Sequence, residues 1–338
     1  MKNKKVSILG AGGWGIAVAN LLATKDLEVC LWEYDKIACE KLQRTRTLPQ
    51  KLPGILINQK IQLGSDLLSA ALGSDYLICA VPAQYLRATL VNFENANIQS
   101  KPVIVNLAKG IEVDSLKRMS EVIKETLKLN MYSGICTLSG PSHAEEVARD
   151  MPTTVVAASE FENVARDVQQ LFTTPRFRVY ASADIIGVEL AGSLKNVIAL
   201  AAGMLDGIGL GDNTKGALLT RGLAEITRMG KALGANPATF SGLSGIGDLV
   251  TTCLSRHSRN RFVGEQIGRG RKLTAVLEAL PMVAEGVATT KSAKRLSAIH
   301  EVEMPITSQV HQVLFADKPP SDAIYELMTR ELRPEIWG

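Results

Sequence analysis

Metal-binding patterns, disulfide patterns and aromatic residues are all scarce in this chain of 338 residues. Its four histidines fall in no spacing typical of a metal site, and its five cysteines are scattered, odd in number and without a CxxC pair. Free cysteines of this kind are typical of a reduced compartment rather than of a secreted protein held by disulfides. The sequence therefore predicts no metal site and a cytoplasmic location.

Extremes of charge and long apolar runs are lacking too. The net charge of +4 is modest for this length, so nothing global favours nucleic acid or a membrane surface as a partner. We expect no apolar run that approaches the roughly 20 residues needed to span a bilayer. The N-terminal lysines and apolar residues resemble a signal peptide only superficially, because glycines and Trp14 interrupt the run. We therefore expect no membrane insertion and no nucleic-acid partner.

What the chain does have is a change of pattern near residue 185. Before it, apolar strands alternate with helical segments, with strands predicted at residues 5–9, 27–33, 76–81 and 103–106. This alternation is typical of an α/β domain with a mostly parallel, doubly wound sheet. After it, helices are predicted at residues 185–210, 215–232, 260–267 and 283–299. We expect a nucleotide-binding domain over residues 1–185 and an all-α domain over 186–338, with the catalytic cleft between them.

The first strand is followed by a glycine-rich turn, GAGGWG at residues 10–15, which opens a helix predicted at residues 15–24. In the G-x-G-x-x-G motif, Gly10 permits the tight turn, Gly12 lets a pyrophosphate approach the backbone, and Gly15 lets helix and strand pack closely. The helix N-terminus offers free N–H groups to the phosphates. The turn predicts a Rossmann-type dinucleotide site, with a purely structural turn as the alternative.

The residues after the second strand leave the choice between NAD and NADP open. Glu33 ends that strand, where an acidic residue binds the ribose 2′-hydroxyl of NAD. No arginine follows immediately for a 2′-phosphate, although Lys36, Arg44 or Arg46 could reach one. The pattern leans towards NAD or dual use.

Lys195 lies in a segment, residues 188–203, so apolar that it reads as a helix buried on nearly every face. The only other charge there is Glu189. Burying an ammonium is unfavourable unless it is paired or deprotonated, and burial lowers a lysine pKa towards the range useful for proton transfer. We predict that Lys195 donates and accepts a proton, with Asp248, in a Gly-x-Gly-Asp turn, as its partner. The alternative is a purely structural ion pair.

Three further segments favour a small anionic ligand. Lys109 leaves the carboxyl end of a predicted strand, where ligands bind open parallel sheets, although a solvated loop lysine is the alternative. Ser142 and Glu145 form a capping-box pattern before a helix, which is a structural role, although the neighbouring N–H groups can still face a ligand. At residues 258–260, SRN stands where a loop turns into a helix, so a guanidinium fork and helix N–H groups can meet on a phosphate. Nearby basic residues lack interleaved aromatics, which favours a solvated face over a nucleic-acid site.

Several motifs stand in one order: the glycine turn, NLAKG at 106–110, GPSHAE at 140–145, LKN at 194–196, SGIGDL at 244–249, SRN at 258–260 and VAEG at 283–286. With them the whole chain resembles bacterial NAD(P)-dependent glycerol-3-phosphate dehydrogenase. The resemblance implies a C-terminal domain of the 6-phosphogluconate dehydrogenase type. It also implies a cytoplasmic homodimer that reversibly reduces dihydroxyacetone phosphate, a phosphorylated triose, to sn-glycerol 3-phosphate with NAD or NADP, for glycerophospholipid synthesis.

The resemblance also implies the site residues. The catalytic set is Lys195, Lys109 and Asp248. The substrate-binding set is Lys109, Gly140, Ser142, Lys195, Asp248, Ser258, Arg259 and Asn260. The cofactor-binding set is Gly10, Gly12, Gly13, Trp14, Gly15, Tyr34, Lys109, Ala144, Arg259, Val283 and Glu285. We further expect Asn106 and Asn196 to orient the substrate, and His143 to pack rather than to act as a base.

Two other functions remain open on the residues alone. A related two-domain dehydrogenase could act on a different hydroxy acid or sugar acid, since such enzymes also place a lysine on a helix after the nucleotide domain. A dinucleotide sensor could bind NAD(H) without turnover, because the glycine turn by itself indicates only binding. A switch from phosphorylated to carboxylated substrates would favour the first, and tight binding without oxidation of the cofactor would favour the second.

Overall fold

The computed structural model describes residues 4–93, 100–280 and 282–335. In its N-terminal part the strands are β1 (Lys4–Leu9), β2 (Leu27–Trp32), β3 (Thr47–Leu48), β4 (Leu52–Leu56), β5 (Gln62–Gly64), β6 (Tyr76–Cys79), β7 (Val103–Asn106), β8 (Gly134–Ser139), β9 (Thr153–Ala158) and β10 (Phe177–Ser182). The helices among them are α1 (Gly13–Leu22), α2 (Lys36–Thr45), α3 (Leu67–Ala71), α4 (Leu86–Val91), α5 (Met119–Thr126), α6 (Ala144–Val147) and α7 (Glu162–Phe172).

The main sheet has the order β10-β9-β8-β7-β6-β1-β2-β5, and β3 pairs with β4 in a separate antiparallel hairpin. Neighbouring strands of the main sheet are parallel except β8 and β9. The central strands are almost wholly buried because helices cover both faces, which is why they read as continuous apolar runs. β1 stands where the strand order reverses, so the turn after it opens at the point where such sheets bind ligands.

The remainder of the described chain is helical. Its helices are α8 (Ile185–Ile208), α9 (Asp212–Ala232), α10 (Asp248–Leu254), α11 (Arg259–Gly268), α12 (Leu273–Glu278), α13 (Glu285–Ile299), α14 (Pro305–Phe315) and α15 (Pro320–Met328). A one-turn π-helical segment, Leu243–Gly247, leads directly into α10. Asp184 caps the start of α8, and Gly209, with φ of 86°, ends it.

Helix α8 is the centre of this part, and α9, α10, α11, α13 and α14 pack around it. Its closest neighbour is α11, and the approach depends on glycines in both helices. A Cβ on Gly203 would lie 1.9 Å from the carbonyl oxygen of Arg261, and one on Gly264 would lie 1.9 Å from that of Leu200. The two backbones therefore touch, which brings the start of α11 beside the middle of α8.

The prediction that no apolar segment reaches bilayer length was wrong for α8. Its 24 residues are long and apolar enough to cross a membrane, but 89% of its most apolar stretch is buried inside the protein. Because α8 is the core of the helical part, its apolar surface is already covered by its neighbours.

The predicted fold class, a mostly parallel α/β part followed by an all-helical part, is confirmed. Predicted element ends differ by one to three residues at several sites; for example, the first helix spans Gly13–Leu22 rather than residues 15–24. The sequence pattern did not reveal β3, β4, β5, β8, β9 or β10. The sheet ends at Ser182 and α8 begins at Ile185. The outer ends of the two predicted domains, residues 1–3 and 336–338, lie outside the described residues.

Candidate active site

A cleft of about 780 Å³ lies between the glycine turn, the loops after β6 and β7, and the starts of α11 and α13. Most of the predicted site residues line it: Gly10, Gly12, Gly13, Trp14, Tyr34, Lys109, Ser142, Ala144, Lys195, Ser258, Arg259, Asn260, Val283 and Glu285. Gly15, Gly140 and Asp248 are not among the lining residues. Their contacts, described below, place them behind the wall.

Lys195 lies at mid-length of α8, and its side chain is only 7% exposed. Its Nζ donates to Asp248 Oδ1 at 2.5 Å and to Thr252 Oγ1 at 2.6 Å. Burial lowers the pKa of Lys195 to about 8, with the Lys109 ammonium lowering it further and the Asp248 carboxylate opposing both. The result is an ammonium that can release its proton near neutral pH while it stays anchored.

Lys109 reaches the same carboxylate from the sheet side of the cleft. Its Nζ donates to Asp248 Oδ2 at 2.8 Å and to the Gly140 carbonyl oxygen at 2.8 Å, and it lies 3.5 Å from Ser142 Oγ. Asp248 thus holds one lysine on each oxygen. Burial raises the pKa of Asp248, but the two ammonium groups outweigh burial and leave it below the ordinary value. Asp248 is therefore ionised, and it spaces the two cations.

Two asparagines tie the lysine loop to the helical part. Asn196 Nδ2 donates to the Lys109 carbonyl oxygen at 3.1 Å, and Asn260 Nδ2 donates to Asn196 Oδ1 at 2.9 Å. Asn260 Oδ1 in turn accepts the backbone N–H of Gly286 at 2.9 Å. The side chain of Asn260 is therefore occupied by protein partners, so its backbone N–H is the group it can offer to a ligand.

The start of α11 is arranged as an anion site. Ser258 is the N-cap residue, and its Oγ accepts the N–H of Arg261 at 3.2 Å. The N–H groups of Arg259 and Asn260 precede the first intrahelical bonds, so the helix leaves them without partners. The exposed Arg259 side chain extends across the cleft mouth, where its Nη1 donates to the Val283 carbonyl oxygen at 3.0 Å. N–H groups without an acceptor among the described residues, the helix dipole and a guanidinium therefore meet at the start of α11.

The glycine turn fits a dinucleotide by its geometry. Gly10 has φ of +114°, and a Cβ on Gly15 would lie 1.9 Å from the Gly10 carbonyl oxygen, so neither position accepts a side chain. A Cβ on Gly12 would meet nothing within 4 Å, which leaves space directly over the turn. The indole Nε1 of Trp14 is buried and has no hydrogen-bond partner within the described part of the chain. Tyr34 is 83% exposed at the outer end of the cleft.

Glu285 offers a second feature that fits such a cofactor. Its Oε1 accepts the backbone N–H of Ala83 at 2.8 Å, whereas Oε2 is buried and finds no partner among the described residues. Burial raises the pKa of this carboxyl, with the Ala83 hydrogen bond and the charge of Arg259 opposing. A buried acceptor without a donor is unfavourable unless a ligand supplies one. A sugar hydroxyl would do so.

One local prediction was wrong. The Ser142–Glu145 pair forms no capping box, because α6 begins at Ala144 with His143 at the N-cap, and Ser142 Oγ donates to the Gly140 carbonyl oxygen at 2.9 Å. Asn106 does not line the cleft. Its side chain bonds both backbone groups of Ala108 and so shapes the loop that carries Lys109.

His143 is unsuited to general-base work. Burial lowers its pKa to about 4, and the charge of Lys195 lowers it further. Sequence reasoning missed Thr252, which shares Lys195 with Asp248. The signal was available, because Thr252 follows Asp248 by four residues on a helix and so occupies the same face.

The comparisons with known proteins agree with one another. The family models described as the N-terminus and C-terminus of NAD-dependent glycerol-3-phosphate dehydrogenase match residues 5–165 and 184–325. A glycerol-3-phosphate dehydrogenase (NAD(P)+) of Chlorobium phaeobacteroides is 52% identical over 98% of this chain and 99% of its own. The counterpart of Geobacter sulfurreducens is 49% identical over 99% of this chain and 100% of its own. The crystal structure of glycerol-3-phosphate dehydrogenase from Coxiella burnetii has a TM-score of 0.92 at 35% identity and covers 97% of this chain and 99% of that one. The chain belongs to the NAD-dependent glycerol-3-phosphate dehydrogenase family.

Proposed function

We propose that this chain catalyses the reversible reduction of dihydroxyacetone phosphate to sn-glycerol 3-phosphate, with Lys195 as the acid that protonates the carbonyl oxygen. NAD or NADP is its cofactor, and a phosphorylated triose its substrate. The observation that carries the proposal is the pair of lysines on the two oxygens of Asp248, at 2.5 and 2.8 Å, in a cleft that also contains the glycine turn and Arg259.

Proton transfer is the work of Lys195. Bound NAD(P)H supplies the hydride that reduces the ketone carbon. Lys195 donates a proton from Nζ to the carbonyl oxygen, and Asp248 and Thr252 keep hold of the nitrogen afterwards. In the oxidative direction neutral Lys195 takes the hydroxyl proton. Its pKa of about 8 suits both directions, since a general acid–base is most effective when its pKa lies near the working pH.

Lys109 positions and polarises the same oxygen. Its ammonium is anchored to Asp248 and to the Gly140 carbonyl, so it presents a fixed positive charge beside Lys195. A preorganised charge at the place where negative charge develops stabilises the transition state. Ser142 would form the neighbouring pocket wall, and Gly140, behind it, would hold the Lys109 ammonium through its carbonyl oxygen.

The phosphate would bind at the start of α11. Arg259 gives a guanidinium fork, and the backbone N–H groups of Arg259 and Asn260 point along the positive end of the helix. Ser258 Oγ accepts the N–H of Arg261, and its own O–H is left to donate to the phosphate. Unphosphorylated dihydroxyacetone would lose all of these contacts.

The cofactor would lie along the glycine turn, Gly10 to Gly15, with its ribose near Glu285 and Val283 and its nicotinamide near Ala144. Trp14, Tyr34, Lys109 and Arg259 would complete the contacts. We further propose that residues 1–185 and 186–338 form the two domains, that the protein is a homodimer, and that it works in the cytoplasm.

The test is to follow oxidation of NADH and NADPH with dihydroxyacetone phosphate, using unphosphorylated dihydroxyacetone as the control. Rapid oxidation that requires the phosphate supports both the reaction and the Arg259 site, and the ratio of the two rates gives the cofactor preference. Equal rates with both substrates would leave a dehydrogenase without this phosphate site. Oxidation of neither cofactor would refute the proposal.

A further inference from the structure

Glu189 is one of three charged residues in α8, with Lys195 and Asp206, and the proposed chemistry does not use it. It is buried, 5% exposed, on the same helix as Lys195 and outside the cleft. A carboxylate in such an apolar helix is as unusual as the lysine, because its desolvation is unfavourable. Its neighbours show what it holds.

Among the described residues, every hydrogen-bond donor to the Glu189 carboxylate comes from the sheet part of the chain. Arg118 Nη1 donates at 2.7 Å, Ser120 donates from its backbone N at 2.8 Å and from Oγ at 2.6 Å, and Thr137 Oγ1 donates at 3.0 Å. Arg118 and Ser120 stand at the start of α5, and Thr137 lies in β8. Burial raises the pKa of Glu189, and the Arg118 ion pair and the Ser120 bonds oppose it. One carboxylate therefore joins α8 to two elements of the sheet part.

Glu189 is the first of three contacts along one face of α8. A Cβ on Gly192 would lie 2.6 Å from Ser139 Oγ, at the end of β8, so only glycine fits without a shift. Asn196 Nδ2 donates to the Lys109 carbonyl oxygen at 3.1 Å. Residues spaced by three and four share a helix face. The three contacts fix the advance of α8, which is its position along its own axis relative to the sheet. Because Lys195 lies on the same helix, they also fix the position of Lys195.

Such a contact is better explained by geometry than by stability. A buried ion pair seldom stabilises a fold more than apolar residues of the same volume would, because desolvation offsets the attraction. Its directional bonds nevertheless allow only one placement of the helix. A misplacement of about 1 Å at a reacting group can lower turnover by about 10²-fold.

We propose that Glu189 is a positioning residue for the reaction: its bonds to Arg118, Ser120 and Thr137 set the advance of α8 along the sheet and so place Lys195 Nζ against Asp248 and the substrate oxygen. The proposal rests on the proposed role of Lys195 as the general acid. Glu189 touches neither substrate nor cofactor, and it acts through the helix.

The test is Glu189→Gln, which keeps the shape and removes the charge. We expect kcat for dihydroxyacetone phosphate reduction to fall by about 10- to 100-fold, because Lys195 is misplaced. The KM for the cofactor should change by less than about threefold, because the glycine turn is untouched. The basic limb of the kcat–pH profile should move to lower pH, since Lys195 loses part of the Asp248 interaction that raises its pKa.

The matched control is Glu225→Gln in α9. Glu225 is also a buried helical carboxylate that accepts two backbone N–H groups, from Ile306 at 3.0 Å and Thr307 at 2.9 Å, but both partners lie in the helical part. We expect Glu225→Gln to lower the melting temperature and to leave kcat per folded enzyme and the pH limb unchanged. If both variants lose stability and neither changes kcat or the limb, Glu189 is only structural and the proposal fails.

Two further variants keep the result decisive. If Glu189→Gln does not fold, Thr137→Val removes one bond without leaving a charge unpaired, and it should shift the limb in the same direction with a smaller loss of kcat. An unmoved limb would then refute the proposal. Lys195→Ala separates the two ideas: full activity of that variant refutes the proposed chemistry, whereas full activity of Glu189→Gln in an enzyme that still requires Lys195 refutes the positioning role alone.

Discussion

The sheet part and the helical part contribute different kinds of group to the two sides of the cleft. The sheet side offers mostly backbone, namely the glycine turn, where Gly10 and Gly15 accept no side chain. Its one catalytic side chain is that of Lys109, on a loop held through its own carbonyl oxygen. The helical side offers buried or convergent side chains, namely Lys195, Asp248, Thr252 and Arg259. Backbone geometry is sufficient to receive a phosphate, whereas a lysine with a shifted pKa needs the dry interior that a packed helix core provides.

Removing Lys195 should have the largest effect. Lys195→Ala is expected to lower kcat by about 10²–10⁴-fold, the usual contribution of a positioned general acid. Cofactor affinity, followed by quenching of tryptophan fluorescence, should stay within a fewfold of the unmodified enzyme because the glycine turn is intact. If Lys195→Ala retained turnover within a fewfold of the unmodified enzyme, Lys195 would not be the general acid, and the helical side would not supply the proton.

The sheet side is tested by two neighbouring glycines that differ in their surroundings. Gly12→Ala adds a Cβ into open space, so thermal stability should be unchanged while the cofactor Kd rises by about 10- to 100-fold, because the pyrophosphate needs that space. Gly15→Ala places a Cβ 1.9 Å from a carbonyl oxygen and should lower the free energy of unfolding by about 1–3 kcal/mol. Cofactor titration and thermal melts of both variants check this. Unchanged affinity in Gly12→Ala would mean that the cofactor does not pass over the turn.

Arg259 tests whether the helical side also discriminates by geometry. Arg259→Lys keeps the charge but loses the planar fork, so kcat/KM for dihydroxyacetone phosphate should fall by about tenfold at saturating cofactor. Turnover of unphosphorylated dihydroxyacetone should not change. Arg256→Lys, in the same loop and exposed, is the matched control and should behave as the unmodified enzyme. Equal losses of kcat/KM in both variants would indicate that the arginines attract the phosphate only through their general positive charge, without a specific guanidinium contact.

The same contrast explains what could be predicted from the sequence. The glycine turn is local: six consecutive residues between a strand and a helix determine it, so its geometry follows from the motif. The Lys195 site is assembled from α8, α10 and the loop after β7. The sequence indicates that Lys195 needs a partner, and the Gly-x-Gly-Asp turn indicates Asp248. The contacts of Lys109 with Asp248 and of Thr252 with Lys195 depend on how the elements pack, so the sequence does not specify them. β9 and β10 were missed because they lie at one end of the sheet and alternate buried with more exposed residues, so neither reads as the continuous apolar run of a central strand.

The pH profile of kcat should show the smallest effect, but it reports directly on the titration of Lys195 on the helical side. Reduction needs protonated Lys195, so kcat should be level below pH 7 and fall as pH rises through the lysine pKa of about 8. That is a drop of about twofold between pH 7 and 8, and the oxidative direction should rise over the same interval. His143, with a pKa lowered to about 4, is neutral over this interval and cannot produce the limb.

Asp248→Asn removes the charge that raises the Lys195 pKa, so any remaining activity should show the limb at lower pH. Single-turnover rates are the measurement, because they exclude product release. A limb that does not move would assign the titration to a group other than the buried lysine.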